Sequence, residues 1–213
     1  MQGELFEITD NCLRVVALDG FRIAIKKEQL QGDFPNVKVV IPSKVLLEVG
    51  RIMSSDKADS VNIIFGQHYI QFVLAQTKII ARLIEGNFFN IEQILDASKH
   101  CPTRIRIDRQ ILCDESDRAL SVSAMEKKPI VFTITDRELM VQVKSSVGSM
   151  VGHVEIEKSG DNQIVGFNPK FLLDALKVIE DEKVELYFVS PKAPCFIKDA
   201  DENYIYVILP VNV

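Results

Sequence analysis

The chain has 213 residues, of which 47 % are hydrophobic and 26 % charged, and its formal net charge is -5 at pH 7. This composition is typical of a globular protein with well-formed cores, and it argues against a protein that is basic over its whole surface. No apolar run reaches the roughly 18 residues that a membrane span needs, and the N-terminus lacks the basic and apolar regions of a signal peptide.

In the first half of the chain, turn signals separate short apolar segments. Asp10-Asn11 predicts a hairpin of strands 4–9 and 13–18, and Asp19-Gly20 precedes a further strand at 21–26. Pro42-Ser43 opens an amphipathic pattern that predicts a helix to about Met53. The other strands of this half are predicted at 37–41, 61–65, 69–74 and 78–84. Residues 86–103 have weak periodicity and contain the predicted domain boundary, near residue 96.

The second half opens with a predicted strand at 103–107 and a helix at 108–121. The order of the first half then returns, with a hairpin over 130–143, strands at 151–157 and 163–167, a helix at 168–179, and strands at 184–189, 195–198 and 204–211. Asn168 before Pro169 is a good helix start, because Asn caps free amides and Pro suits the first turn. We therefore predict an α+β protein with domains 1–95 and 96–213, each made of antiparallel strands with few helices.

The two halves also repeat in sequence. LFEITD at 5–10 recurs as VFTITD at 131–136, and Lys44, Leu46, Leu47, Glu48 and Arg51 recur as Lys170, Leu172, Leu173, Asp174 and Lys177 at the same offset of 126 positions. Such a long period indicates a duplicated domain and not a solenoid. The strand and helix at 103–121 have no counterpart in the first domain. Because a sheet without them leaves backbone groups and apolar surface uncovered, we expect an N-terminally truncated piece of a longer protein.

Residue patterns of catalytic and metal sites are missing from the sequence. The three histidines are far apart, and the four cysteines lack CxxC spacing, so they indicate reduced thiols in a cytosolic protein. His100-Cys101 is more simply explained as an exposed linker pair than as a metal or thiol site. No GxSxG elbow, P-loop or GxGxxG is present. We expect no enzyme activity, no metal and no cofactor.

The two matched helices share a polar stripe. Lys44, Glu48 and Arg51 lie on one helix face, and the repeat reproduces this stripe with Lys170, Asp174 and Lys177. A solvated face is the simpler explanation for either helix alone, but its repetition favours one shared surface. Arg104, Arg106, Arg109 and Arg118 are further candidates for it. Lys and Arg without interleaved aromatic residues suit phosphate contact without base reading.

The C-terminus is apolar to its last residue, although termini are usually polar and frayed. Residues 204–209 fit a final core strand. Pro210 cannot donate a hydrogen bond in a central sheet, so Val211 and Val213 are expected on the surface. An apolar tail on a surface suggests a groove wall for a partner.

Several segments resemble those of the bacterial sliding clamps, the beta subunits of DNA polymerase III. Residues 17–24 (ALDGFRIA) resemble the family's ATDGHRLA, and 166–176 (GFNPKFLLDAL) resemble its GFNxxYLLDVL. Further matches are IPSK at 41–44, LIEGNF at 83–88 and YVILPV at 206–211. The resemblance runs in order over the whole chain, and it covers most of the family's middle domain and all of its last domain.

The resemblance implies a fold of repeated clamp domains and a ring of two full-length chains around duplex DNA, with sheets outside and helices lining the hole. Lys44, Arg51, Lys170 and Lys177 would face phosphates, with Arg109 as an added candidate. Ring closure is not expected for this chain alone, because the missing first domain supplies one side of it. The protein would be a non-catalytic, cytoplasmic processivity factor of DNA replication. A stand-alone peptide-binding or regulatory module without DNA contact is the alternative.

The family also binds short peptides of polymerases and of the clamp loader in an apolar pocket between its last two domains, which suits a motif bearing Leu and Phe. The matching positions are Met1, Leu18, Gly20, Phe21, Arg22, Ile23, Phe89, Gln93, Ile94, Asn168, Phe171, Pro194, Val207, Ile208, Leu209, Pro210, Val211, Asn212 and Val213. The chain departs from the family at Phe21, which replaces His, at Phe89, which replaces Pro, and at Asn212, which replaces a basic residue.

Overall fold

The computed structural model describes residues 3–56, 60–74, 77–123 and 125–213. The chain forms two compact units. The first comprises the residues up to Asp19 together with Lys26–Phe89, and the second comprises Gly20–Ile25 together with Asn90–Val213. Both units combine antiparallel strands with a few helices, which confirms the predicted α+β class.

The first unit begins with strands β1 (Gly3–Thr9), β2 (Cys12–Leu18), β3 (Arg22–Gln29, of which residues 22–25 belong to the second unit) and β4 (Val37–Pro42). β1 pairs antiparallel with both β2 and β4. The two-residue turn between β1 and β2 has positive φ at Asp10 and Asn11, 51° and 59°, as the twist of a tight hairpin requires. The predicted hairpin is therefore confirmed.

The rest of the first unit is helix α1 (Ser43–Asp56) and a sheet in the order β5 (Asn62–Phe65), β6 (Tyr69–Leu74) and β7 (Thr77–Arg82). The core of this unit consists of buried side chains from β1, β4, α1 and β6: Phe6, Ile41, Val49, Ile70, Phe72 and Leu74. The apolar stripe that predicted α1 packs here through Val49, with Leu46 and Ile52 partly buried beside it.

The second unit begins with α2 (Glu92–Ala97), β8 (Thr103–Asp108) and α3 (Arg109–Ser123). It continues with β9 (Ile130–Ile134), β10 (Glu138–Ser145), β11 (Gly148–Glu155), β12 (Glu157–Ser159) and β13 (Gln163–Phe167), and ends with α4 (Pro169–Leu176), β14 (Lys183–Phe188), β15 (Cys195–Lys198) and β16 (Tyr204–Ile208). Five of these strands are neighbours in one sheet, in the order β12-β8-β14-β15-β16, and the four-stranded sheet has the order β11-β10-β9-β13. α3 and α4 pack against each other and contribute Leu112 and Leu172 to one buried core.

Three predicted element boundaries of the second unit are wrong, each for a local reason. The helix predicted at 168–179 ends at Leu176, whose carbonyl accepts a hydrogen bond from Arg109. The strand predicted at 151–157 is two strands, β11 and β12, with the N–H of Ile156 turned to the carbonyl of Arg137. The strand predicted at 204–211 ends at Ile208, two residues before Pro210.

The sequence also gave no signal for α2. This helix has six residues and buries none of them, so it has no apolar stripe of the kind that predicts a helix. Among the described residues, no helix is both long and apolar enough to cross a membrane.

Candidate peptide-binding site and basic helix faces

Two phenylalanine rings and an arginine form a partly exposed cluster in the second unit, in which Phe171 and Arg22 are half-buried. Phe21 is 61 % exposed, and its ring centroid lies 6.3 Å from that of Phe171, with 29° between the ring planes. The guanidinium carbon of Arg22 lies 4.3 Å from the same Phe171 centroid, within the range of a cation–π interaction. Phe171, the aromatic residue of α4, therefore has one aromatic and one cationic neighbour.

Arg22 is fixed by polar contacts to α4 and β16. Its Nη1 donates to Asp174 Oδ2 at 2.6 Å and to the hydroxyl of Tyr206 at 3.3 Å. Lys170 Nζ also donates to Asp174 Oδ2, at 2.9 Å. Partial burial alone would raise the pKa of Asp174, but the hydrogen bonds from Lys170 and Arg22 outweigh it and lower that pKa. Asp174 is thus ionised at neutral pH and holds Arg22 in place beside Phe171.

The C-terminal tail, defined as Leu209–Val213, runs along the same unit. The N–H of Leu209 donates to the carbonyl of Phe21, and the N–H of Val211 donates to the carbonyl of Gly166, both at 2.9 Å. Leu209, Val211 and Val213 are exposed, so the expected surface position of the two valines is confirmed. The main-chain hydrogen bond between Leu209 and Phe21 keeps their exposed apolar side chains close together. These side chains form a surface that an apolar peptide can contact.

The other predicted peptide-site residues have varied surroundings. Met1 lies outside the described residues, and Leu18 and Phe89 belong to the first unit. Ile23, Val207 and Ile208 are buried in the second unit, where they support the exposed residues. Gly20, Gln93 and Asn212 are exposed, and Ile94, Pro194 and Pro210 are half-buried. Asn168 caps α4, because its side chain accepts a hydrogen bond from the N–H of Lys170.

Three residues that complete this cluster were not predicted as peptide-site residues. Asp174 and Tyr206 hold Arg22, and Gly166 receives the tail. Asp174 was singled out only as the acid of the polar stripe. No sequence spacing relates it to Arg22, which is 152 positions away.

The predicted basic stripes are partly neutralised by their own acids. Arg51 Nη2 lies 2.6 Å from Glu48 Oε1, and Lys170 is paired with Asp174 as described above. Within the ranges that the structure describes, Lys44 and Lys177 form no ion pair, and both are exposed. Each helix face therefore offers one lysine without a carboxylate partner and one basic residue that an acid already engages.

Arg109 differs from the other predicted DNA-binding residues. It is half-buried, and its guanidinium donates to two main-chain carbonyls, those of Asp181 at 3.0 Å and Leu176 at 3.4 Å. This geometry connects the start of α3 to the segment after α4, which is a structural role. We therefore rank Arg109 below the four residues of the helix stripes as a phosphate contact.

The described part of the chain contains no group of three or more His, Cys, Asp or Glu residues that could hold a metal ion. The four cysteines are free thiols. Burial raises the pKa of the Cys113 and Cys195 thiols, which makes them poor nucleophiles at neutral pH.

Comparison with known proteins identifies the family. Residues 1–90 match the family model of the DNA polymerase III beta subunit, central domain, and residues 98–212 match that of its C-terminal domain. The "Beta sliding clamp" of Staphylococcus epidermidis is 30 % identical over 218 residues, and that of Staphylococcus aureus is 29 % identical over 217. Both alignments cover 100 % of this chain and 56 % of the relative, so the chain spans about half the length of the curated relatives it matches.

Solved structures agree with this match. A putative DNA polymerase III beta subunit from Eubacterium rectale has a TM-score of 0.95 at 44 % identity, over 100 % of this chain and 57 % of that one. The beta subunit from Thermotoga maritima has a TM-score of 0.89 at 25 % identity, with the same coverage. The chain therefore belongs to the family of DNA polymerase III beta subunits, and it matches their central and C-terminal domains.

Proposed function

We propose that this chain is the peptide-binding and DNA-tracking part of a sliding clamp, a non-catalytic processivity factor of DNA replication in the cytoplasm. In the proposed assembly, two full-length chains form a ring around duplex DNA, and residues 1–95 and 96–213 are the middle and last domains of each chain. The match of the whole chain to proteins named beta sliding clamp supports this proposal.

The observation that carries the peptide-binding part is the apolar cluster of the exposed Phe21 and Leu209 and the half-buried Phe171, beside the fixed Arg22. Apolar side chains of a linear motif bind in such a surface, and main-chain groups and one fixed charge set the register. We propose that the motif bears Leu and Phe and comes from a polymerase or a clamp loader. We expect a dissociation constant of about 1 μM, or roughly −8 kcal/mol.

Chemical-shift mapping tests where the peptide binds. A pentapeptide that bears Leu and Phe is added to the 15N-labelled chain, and a peptide of scrambled order is the control. The amides of Phe21, Phe171 and Leu209 are expected to shift, whereas those of the β5–β7 sheet stay unchanged. Shifts confined to the first unit, or equal shifts with the scrambled peptide, would contradict the assignment.

For DNA, we propose non-specific contact to phosphates through Lys44, Arg51, Lys170 and Lys177, with a smaller contribution from Arg109. Lysine and arginine contacts to phosphate release counterions, so this binding weakens steeply with salt. The ion pairs of Arg51 and Lys170 suit a loose contact, because both residues exchange one anionic partner for another.

The alternative is a stand-alone peptide-binding or regulatory module that does not touch DNA. The neutralisation of the basic stripes by Glu48 and Asp174 favours it. Genomic sequence upstream of the codon for Met1 distinguishes the two. An in-frame domain of about 150 residues, one ordinary domain, supports the clamp, and a start codon with its own ribosome-binding site at Met1 supports the module.

A further inference from the structure

Gly166, in strand β13, lies between strand β9 and the C-terminal tail. It pairs with Val131 in the sheet of β9 and β13, and it also forms an antiparallel bridge with Val211. The carbonyl of Gly166 accepts the N–H of Val211 at 2.9 Å. Pro210, which has no N–H, stands between the two donors Leu209 and Val211, so its presence costs the tail neither of these hydrogen bonds.

The space at Gly166 admits no side chain. A Cβ atom there would lie 2.9 Å from the carbonyl oxygen of Val211 and 2.8 Å from Cγ2 of Val213. The first of these is a main-chain atom, so the tail as a whole would have to move. Gly166 does not have the positive φ that favours glycine. Its own backbone conformation is therefore open to any residue, and what the position requires is the missing side chain.

We infer that Gly166 is a positioning residue for the peptide site. By admitting the tail against β13 it fixes Val211. Because only Pro210 separates Val211 from Leu209, the position of Val211 also sets where Leu209 lies next to Phe21. This inference rests on the proposed peptide-binding function. On this inference, a buried glycine determines the position of the C-terminal tail, together with the side chains of the tail itself.

Amide hydrogen exchange on Gly166→Ala tests the first step. We expect the amide of Val211 to exchange at least about tenfold faster than in the unsubstituted chain, because its acceptor is displaced and the segment opens locally. The amides of β9, which pair with the other edge of β13, should change by less than about twofold. Gly50→Ala is the matched control, since a Cβ at Gly50 meets no atom within 4 Å. Unchanged exchange at Val211, or equally faster exchange in β9, would overturn the inference.

Titration with the Leu- and Phe-bearing pentapeptide tests the second step. Gly166→Ala should weaken binding at least about tenfold, and Gly50→Ala should leave it unchanged. If Val211 exchange rises but the affinity stays the same, the tail position does not govern the site and the inference is wrong. If the unsubstituted chain binds no peptide while Val211 exchange still responds, the proposed function fails and the contact between Gly166 and the tail stands.

Discussion

Leu47 and Leu173 occupy equivalent positions of the duplicated helix, but Leu47 is 73 % exposed and Leu173 only 3 %. The two helices also differ in their neighbours within their own units. In the second unit, α4 packs against α3, and β14 pairs with both β8 and β15. Among the described residues, the first unit has no counterpart of β8 and α3, and β5 lies at the edge of its sheet. The same sequence pattern therefore meets two different environments.

This difference predicts unequal costs for the same substitution. Leu173→Ala should destabilise the protein by about 2–5 kcal/mol, because truncation of a buried leucine leaves a cavity. Leu47→Ala should change stability by less than about 0.5 kcal/mol, since an exposed side chain loses little on truncation. Urea unfolding of the two variants measures both values. A cost at Leu47 equal to that at Leu173 would show that Leu47 is buried in solution.

Asp174 predicts a pH dependence with a definite sign. Its pKa is lowered in the folded protein below the ordinary value of 3.8. The stabilisation by Arg22 and Lys170 is therefore complete above the unfolded pKa and is lost as the pH falls through the folded pKa. Asp174→Asn should be less stable than the unsubstituted chain at pH 6, and the difference should begin to shrink as the pH falls below about 4 and disappear once the pH is below the folded pKa. A difference that stays constant from pH 6 to pH 3 would contradict this role.

Phe171 should contribute to peptide binding through its aromatic ring. Phe171→Ala removes the ring that the peptide would contact and leaves Phe21 and Arg22 without that neighbour, so peptide affinity should fall about tenfold, or about 1.4 kcal/mol. Phe171→Tyr keeps the ring and should bind within about threefold of the unsubstituted chain. Isothermal titration measures both, and an equal loss in the two variants would show that the ring is not the contact.

Substitutions of the basic residues should differ in their effect on DNA affinity and on its salt dependence. In a full-length ring that carries these domains, Lys44→Glu and Lys177→Glu should each weaken duplex binding and reduce the salt slope of log K by about 1. Arg109→Gln should leave the salt slope nearly unchanged and lower stability instead, because its guanidinium bonds to main-chain carbonyls. Fluorescence anisotropy at several salt concentrations gives the slopes. Equal slopes for Lys177→Glu and the parent would exclude Lys177 as a phosphate contact.

The elements with local chemical signals could be predicted from sequence. Asp10-Asn11 gave the first hairpin, Pro42-Ser43 gave the start of α1, and Asn168-Pro169 gave the start of α4. These signals work because turns and helix starts depend on the residues that form them. The periodic pattern did not predict α2, because a helix that buries no side chain has no apolar stripe. The predicted end of α4 is wrong because the carbonyl of its last residue, Leu176, accepts a hydrogen bond from the distant Arg109.

The candidate site divides in the same way. Phe21, Arg22, Phe171 and Leu209 came from a resemblance that runs along the chain. The polar contacts that hold this cluster join residues as far apart in sequence as Arg22 and Asp174. No spacing in a single sequence predicts such a pair. The sequence marks Gly166 only as part of a segment that resembles the family. Its contact with the tail could not be predicted, because the lack of space for a Cβ atom depends on where Val211 and Val213 lie.

Peptide affinity of two leucine variants tests the central claim most directly. The chain, Leu209→Ala and Leu47→Ala are titrated with the Leu- and Phe-bearing pentapeptide under one set of conditions. Both leucines are exposed, but only Leu209 belongs to the proposed site. The account predicts saturable binding near 1 μM, or about −8 kcal/mol, a loss of about tenfold or more for Leu209→Ala, and no change for Leu47→Ala. Absence of saturable binding to the unsubstituted chain, or an equal loss in both variants, would contradict it.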